Sequence, residues 1–338
     1  MSKKSLSSLL AVVAVVALVQ AGYAFTTGEL EEAGVSFTGY VETELSYVSA
    51  DEGDVSDIAV AEVSLGTEYA PADWILASVI LLYEDGADGV GVDEAFVTLG
   101  GSDLVPVKVT VGRIYPKFGS YSSLYCSGLL CEDSLAQSLS ETREEVVQVA
   151  YRFGPGTVRA GVANGAVDEV GKDDGFSLFY GIIEVTPLEG LTVGTAYTSN
   201  LGTSSVLSEL MPEEGVEEIA AGLTLYAIYQ AGRFYGQADY VTALDRFSAV
   251  DLDADGDGVG DEPSALNIEV GYEVLADVQL GARYASSDEF ADFPEEQYGL
   301  VVNYALFDGA VLAVEYLHNE LPGGGDEETL SGRVAVEF

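Results

Sequence analysis

Apolar and polar residues alternate along this sequence in segments of about ten residues, which recur from residue 33 to the last residue. The pattern is clearest in the last segment, where every second residue is apolar or small: Leu330, Gly332, Val334, Val336 and Phe338. The residues between them are Ser331, Arg333, Ala335 and Glu337. Because successive side chains of a β-strand point to opposite faces, each segment predicts a strand with one apolar and one polar face.

The connections between these segments alternate between short turns and longer polar loops. Short turns fall at 70–73, 100–105, 154–156, 187–190, 231–232, 275–276 and 307–309. Longer loops fall near 49–56, 85–91, 116–142, 165–174, 200–216, 244–263, 286–295 and 319–327. This rhythm predicts an all-β transmembrane antiparallel barrel of about sixteen strands, because bacterial outer-membrane barrels have short turns at one end and longer loops at the other. The alternative is a soluble β-sandwich or propeller, whose strands are shorter.

The N-terminal residues have the three parts of a secretory signal peptide. Lys3 and Lys4 form a positive region, residues 9–19 are an apolar run, and Gly22 and Ala24 are small residues at the cleavage site. The apolar run is too short to cross a bilayer as a helix. We therefore predict a signal peptide at 1–24 and a barrel domain at 25–338, which places the protein in the bacterial outer membrane.

The chain is strongly acidic, with 57 Asp and Glu residues, 13 Lys and Arg residues and a formal net charge of −44. Nucleic acid is excluded as a partner, because so few basic residues cannot neutralise its phosphates. Two explanations of the acidity remain. Solvated carboxylates keep surfaces soluble in salty or alkaline water, and carboxylates in a channel attract cations.

Alternation assigns many of these charges to the inner wall of the barrel. A barrel of about sixteen strands is wide enough for an aqueous channel. We predict as pore lining Glu42, Glu44, Glu94, Lys108, Arg152, Glu269, Arg283 and Arg333, with further acids at Glu62, Glu68, Asp239, Glu273 and Glu337. Such a lumen should pass cations more readily than anions. The alternative role of each residue is simple wetting of the pore wall.

The longest connection runs from Pro116 to Thr142 and is the third of the longer loops. In trimeric general porins the third loop folds inward and narrows the pore. Cys126 and Cys131, the only two cysteines, lie in its middle, and export favours a disulfide between them. The alternative is two free thiols in an apolar patch.

The residues around this loop resemble one family of outer-membrane channels. The stretch 111–121 reads VGRIYPKFGSY, 132–135 reads EDSL, and 139–144 reads LSETRE; upstream, 93–100 reads DEAFVTLG. Together they resemble the LbtU-family siderophore porins, which are barrels without a plug domain implicated in ferric-siderophore uptake. The resemblance implies an outer-membrane porin through which solutes, including ferric siderophores, pass passively. To its constriction loop and pore we assign Arg113, Lys117, Cys126, Cys131, Glu141, Arg143 and Glu144.

Residues 25–32, between the cleavage site and the first strand, are too few to fill a lumen. We therefore expect no plug domain and no active transport coupled to TonB. A general cation-preferring diffusion porin is the alternative to a siderophore porin. A structural or adhesive barrel is a further alternative, although its loops should be longer than these.

An acidic stretch in the sixth loop resembles a calcium-binding loop. Its carboxylates are Asp251, Asp253, Asp255, Asp257, Asp261 and Glu262. Read as twelve residues, the stretch has acids at positions 1, 3, 5 and 12 and Gly256 at position 6, the spacing of an EF-hand loop. No other cofactor is expected. The alternative is a solvated acidic loop in an acidic protein.

The sequence does not indicate an enzyme. His318 is the only histidine, and it has no surrounding serine motif of the kind found in barrel hydrolases. The expected partners are outer-membrane lipid and lipopolysaccharide, to whose phosphates a calcium-bound loop could bridge, and the barrel-assembly machinery, which would recognise Phe338. Small solutes or ferric siderophores would be the cargo. A homotrimer is left open.

Overall fold

The computed structural model describes residues 33–50, 53–87, 89–102, 105–120, 130, 132–172, 175–212, 214–254, 256–291 and 293–338. The predicted signal peptide and the two cysteines lie outside the described residues. The strands are β1 (Val35–Ala50), β2 (Gly53–Ala72), β3 (Ile75–Glu84), β4 (Gly91–Ser102), β5 (Val105–Ile114), β6 (Glu144–Phe153), β7 (Gly156–Ala163), β8 (Leu178–Leu188), β9 (Leu191–Thr198), β10 (Gly222–Ala231), β11 (Phe234–Ala243), β12 (Ser264–Leu275), β13 (Val278–Asp288), β14 (Glu296–Phe307), β15 (Ala310–Leu321) and β16 (Gly325–Glu337). Each strand pairs antiparallel with its neighbours, and β16 pairs with β1, so the sheet is a closed barrel.

The predicted antiparallel barrel of about sixteen strands is confirmed. The prediction succeeded because the alternation of side chains and the turns are regular along the chain. Two of the predicted longer loops are tight hairpins instead. β1 and β2 run to Ala50 and from Gly53, and β15 and β16 run to Leu321 and from Gly325. Glycines with positive φ, such as Gly323 at 83° in the second hairpin, allow strands to continue through stretches whose polarity indicated loops.

Phe338 closes the barrel against β1. Its N–H donates to the Gly39 carbonyl at 2.9 Å, and its own carbonyl accepts from the Gly39 N–H at 2.7 Å. A Cβ atom at position 39 would lie 2.4 Å from the Phe338 ring, so only glycine lets the ring rest on the strand. Closure removes the unpaired edges that a long sheet would otherwise expose.

The period-two pattern sorts side chains between the outside and the lumen. On the outer face, large apolar side chains are exposed as a band, for example Leu45, Ile268 and Leu300. On the inner face of the same part of the sheet, polar side chains such as Asn267 and Gln297 are buried. An apolar outer band requires a nonpolar surrounding, which a bilayer supplies. Among the described residues, no helix has the length and apolar character needed to span a membrane.

Two short helices, α1 (Leu135–Ser140) and α2 (Ser205–Leu210), and a 3-10 turn (Leu201–Thr203) lie in the longer loops. Their apolar side chains join those of neighbouring loops and inner strand positions in one buried cluster inside the barrel. No separate plug domain occurs within the described ranges. We call the end of the barrel with the short turns the turn end and the other the loop end.

Candidate channel constriction

The described residues of the third loop, 115–120, 130 and 132–143, contact both sides of the lumen. At its start the Phe118 carbonyl accepts from Thr224 Oγ1 of β10 at 3.3 Å, and the Ser120 N–H donates to Asp239 of β11 at 3.0 Å. Further along, Leu130 packs in a small buried cluster with residues of β14 and β15. The loop therefore reaches the wall opposite the strand from which it starts. This position agrees with the inward-folded third loop that we expected.

Arg283 of β13 holds the far end of this loop. Its Nη2 donates to the Glu132 carbonyl at 2.7 Å, and its Nη1 donates to the Asp133 carbonyl at 3.3 Å. The same guanidinium forms a salt bridge of 2.7 Å to Glu269, and both side chains are only 1% exposed. Arg283 and Glu269 lie on the inner wall, as predicted, but they neutralise each other and anchor the loop.

Helix α1 carries the loop back across the barrel. Ser134 caps it, because its hydroxyl accepts from the Gln137 N–H at 3.2 Å. Leu135, Ala136 and Leu139 are buried against inner-wall residues and against α2. Burial of several such side chains holds the loop to the wall, since each contributes about 2 kcal/mol. This apolar packing occupies part of the lumen. We call the space left between the third loop and the barrel wall the passage.

Carboxylates line both sides of this passage near the loop end. Glu132, Asp133 and Glu141 belong to the third loop, and Glu84 belongs to β3. Glu84 faces inward, because it pairs in register with the inward-facing Glu62 of β2. The charge of Glu84 acts on both Asp133 and Glu141, so the three carboxyls lie near one another. We call Glu84, Asp133 and Glu141 the acidic eyelet.

A β-bulge in β4 adds two further acids. Ile80 pairs with Glu94 and Leu81 pairs with Val92, so Asp93 is the extra residue. As a result Asp93 and Glu94 are both buried on the inner side. Asp93 accepts from Arg143 at 2.8 Å and from the Tyr115 hydroxyl at 2.7 Å, which fixes the second end of the third loop to the wall.

Two of the eyelet carboxyls have raised pKa values. Burial raises the pKa of Glu141 to about 7, and the charge of Asp133 adds to the shift, against a hydrogen bond from Gln137. Partial desolvation by the surrounding protein raises the pKa of Asp133 to about 6, with a further contribution from the charge of Glu132. Both groups therefore take up protons near neutral pH rather than near pH 4.

This titration predicts a pH-dependent channel. As pH falls from 8 to 5, protons bind first to Glu141 and then to Asp133, so the eyelet loses negative charge and its attraction for cations. Because the folded state binds more protons than the unfolded state, barrel stability should rise as pH falls through the same range. Reversal potentials in a salt gradient at several pH values would measure the selectivity. In Glu141→Gln only the step near pH 6 should remain, and an unchanged profile would contradict the assignment.

Two basic residues, one on the inner wall and one in the third loop, contact acids. Arg333 of β16 lies 3.4 Å from Glu42, 2.5 Å from Glu44 and 3.2 Å from Glu132. Lys117 lies 2.6 Å from Glu184 of β8 and over the ring of Tyr226. Arg333 therefore links the wall to the third loop, and Lys117 fixes the start of that loop.

The predicted site residues divide into three groups. The structure places on the inner wall Glu42, Glu44, Glu94, Lys108, Arg152, Glu269, Arg283 and Arg333. Lys117, Glu141 and Arg143 lie in the third loop, and Glu144 is buried at the start of β6. Cys126 and Cys131 fall outside the described residues, so the disulfide stays a prediction.

The assignment of Arg113 to the pore is wrong. Arg113 shares its face of β5 with Val111, which is exposed on the outer side of the barrel. Its guanidinium pairs there with Glu145 of β6 at 2.7 Å. The error arose because the motif spans the end of a strand, where residues that belong together in sequence point to opposite faces.

From the sequence we assigned no role to Glu84, Asp133 or Asp93, although two of its motifs contain Asp93 and Asp133. Glu84 has the inward parity of Ile80 and Leu82, but it stands at the end of its strand next to the predicted loop 85–91, and we gave it no role. Nothing in the sequence distinguishes Asp133 from other loop acids. The DEAF stretch did mark Asp93, although the bulge that turns it inward has no sequence signature.

The acids of the predicted calcium loop contact mainly the loop itself. Asp251 accepts from the Glu217 N–H at 2.9 Å and from the Ser248 hydroxyl at 2.8 Å, and Asp261 accepts from the Ala254 N–H at 2.8 Å. Asp255 lies outside the described residues. Within the described part of the chain, no cluster of three or more metal-ligating side chains occurs. Calcium binding stays a prediction.

A melting experiment tests it. Calcium binding to the folded loop should raise the melting temperature of the purified barrel, since a ligand that binds only the folded state stabilises it. Replacing Asp251 and Asp253 by Asn should abolish the rise. Replacement of the exposed Asp326 by Asn is the matched control, which should leave the rise intact. A rise that persists in the double variant would mean that calcium binds elsewhere.

The sequence is similar to a known family of proteins and to several individual proteins. The sequence profile described as Gram-negative porin matches residues 6–337. A UPF0422 protein of Coxiella burnetii is 23% identical over 84% of this chain, and one of Legionella pneumophila is 21% identical over 78%. The matched regions cover 64% and 54% of those two proteins, so the chain spans less than two thirds of their length.

Solved structures share the fold at low identity. The outer membrane channel DcaP of Acinetobacter baumannii matches with a TM-score of 0.64 and 12% identity over 90% of this chain and 97% of its own. An anion-selective porin from Comamonas acidovorans matches with a TM-score of 0.65 and 14% identity over 90% and 99%. OmpF of Salmonella typhi, solved with daunomycin, matches with a TM-score of 0.66 and 11% identity over 91% and 99%.

Proposed function

Because the chain belongs to the Gram-negative porin family, we propose that it is a passive diffusion channel of the outer membrane that prefers cations. The turn end then faces the periplasm, and the loop end faces the outside. The membership of the family and the barrel fold indicate a channel rather than an enzyme.

The observation that carries the cation preference is the acidic eyelet. Carboxylates stand on the third loop and at the end of β3, so a passing ion meets negative charge from the loop and from the wall. Most nearby guanidinium groups are bound to other acids, as Arg143 is to Asp93 and Arg283 is to Glu269. A ring of acidic side chains favours cations because it lowers their free energy in the pore and raises that of anions.

Single-channel recording tests this function. The purified barrel is inserted in a planar bilayer with a potassium chloride gradient, and the reversal potential is measured at pH 7.5. We expect a sign that shows K⁺ passing more readily than Cl⁻. A reversal potential at zero or of the opposite sign would overturn the proposal.

Uptake of ferric siderophores stays a prediction from the family resemblance. No contact in the described residues favours it, and an acidic passage would repel anionic ferric siderophores. The same bilayer gives the measurement: a siderophore channel should show concentration-dependent current block by a ferric siderophore and its entry into liposomes. Absence of both would leave the general diffusion channel.

A further inference from the structure

A group of basic side chains lies on the inner wall near the turn end, away from the acidic eyelet. Lys108 of β5 and Arg159 of β7 both pair in register with Ala150 of β6, so they form one row across three strands. Arg152 lies on the same inner face of β6, two residues nearer the turn end. Arg152 and Arg159 both act on Lys108 as like charges, which shows that the three lie close together.

These three residues line a cavity of about 610 Å³. Gln148, Thr98 and Thr157 contribute further polar groups to its wall. Its lining comes from β2–β7 and from turns at the turn end of the barrel. A volume of this size holds a small hydrated solute, and it lies within the usual range for ligand pockets.

The positive charge of this cavity is only partly neutralised by protein. Asp73 is the one acid in its lining among the described residues, and Glu68 acts on Lys108 from nearby. Arg159 approaches Glu184 only to 3.9 Å, while that carboxylate already contacts Lys117 at 2.6 Å and the Tyr226 hydroxyl at 2.8 Å. Arg159 Nη1 is shielded from solvent and has no hydrogen-bond partner in the described protein.

Three positive side chains with one acid among the described lining residues attract an anion into the cavity, because the protein neutralises their charge only in part. Guanidinium groups bind oxyanions through paired N–H donors, and an ammonium adds a third charge at one point. We propose that Lys108, Arg152 and Arg159 form a binding site for a phosphate-type oxyanion at the periplasmic side of the channel.

This site is independent of the cation preference proposed above. An anion from the turn end reaches the cavity without passing the eyelet, whereas an anion from the loop end must cross the acids first. Phosphate should therefore block the current when it is added on the turn side and act much more weakly from the loop side. A cleavable tag on one loop identifies the orientation of the barrel in each bilayer, because only a protease on the loop side can remove it.

The experiment measures binding and block together. Inorganic pyrophosphate is titrated into the detergent-solubilised barrel by calorimetry, and its block of the potassium current is recorded from each side. We expect saturable binding that weakens at least about tenfold in Arg159→Gln and in Lys108→Gln. Arg233→Gln, an exposed basic residue at a turn of the same end, is the matched control and should bind as the unmodified protein does.

Three results would overturn the site. The unmodified barrel would show no saturable binding of pyrophosphate, both cavity variants would bind it as tightly as the unmodified barrel, or Arg233→Gln would weaken binding as much as the cavity variants do. If Arg159→Gln does not fold, Lys108→Gln decides, because Lys108 is exposed and has no salt bridge to a described residue. Glycerol phosphate in a parallel titration distinguishes a free inorganic ion from the phosphate of an ester. The reversal potential, measured without phosphate, reports separately on the eyelet.

Discussion

Replacing Asp133 by Asn and Glu141 by Gln should lower the permeability ratio of K⁺ to Cl⁻ by about fivefold at low salt. A unit charge about 4 Å from a passing ion contributes about 1 kcal/mol even in bulk water, and that energy corresponds to roughly this factor. Reversal potentials in a potassium chloride gradient give the ratio directly. The effect should shrink toward 1 M salt, because the screening length falls from about 10 Å at 0.1 M to about 3 Å.

Two control variants test whether the position of the carboxylates, rather than the net charge of the protein, sets the selectivity. Asp326→Asn removes an exposed carboxylate from the start of β16 and should leave the ratio unchanged. Glu84→Gln removes the wall-side charge and should lower the ratio as the loop variants do. If the exposed variant changed selectivity as much as the eyelet variants, the overall field of the acidic protein would explain the preference instead.

Replacing Arg283 by Met should destabilise the barrel and enlarge the pore. The variant leaves the Glu269 carboxylate buried without its partner, which costs about 3–5 kcal/mol. It also removes the donors to the Glu132 and Asp133 carbonyls, so the far end of the third loop loses its anchor. We expect a lower melting temperature together with a larger and noisier single-channel conductance.

A double variant separates the two effects. Arg283→Met with Glu269→Leu replaces the whole buried pair by apolar groups, which is often close to neutral for stability. Its melting temperature should return toward that of the unmodified protein, while the larger conductance remains. A double variant with normal conductance would show that other contacts of the loop, such as the Leu130 cluster, suffice to hold it.

Much of the architecture follows from the sequence, because the side-chain period of a strand is two. Leu45 and Glu44 are neighbours in sequence, and the alternation alone assigns one to the outside and the other to the lumen. A closed antiparallel barrel pairs its last strand with its first, and the hydrogen bonds between Phe338 and Gly39 make this closure. The assignment of faces failed at one position, Arg113. This residue stands at a strand end, where the sequence motif combines residues of both faces.

The eyelet was not predictable in the same way. Asp133 and Glu84 are far apart in sequence and come together only because the third loop crosses the lumen. The route of that loop depends on its anchors at Asp239, Arg283 and Asp93, and each of these contacts joins residues from distant strands. The resemblance to porins indicated that the loop folds inward but not which carboxylates it would bring to the wall.

Sequence by itself determined the number of strands, the inner and outer face of most of them and the closure at Phe338, since backbone geometry imposes a period that any alternating pattern must follow. Only the tertiary structure decided the electrostatics of the passage. It tied Arg283 and Arg333 to acids, turned Asp93 inward through a bulge, and separated the acidic eyelet from the basic cavity at the turn end. The physical reason is that charges act through distance in space, and in this barrel distance in space is set by a loop packed across the lumen rather than by position along the chain.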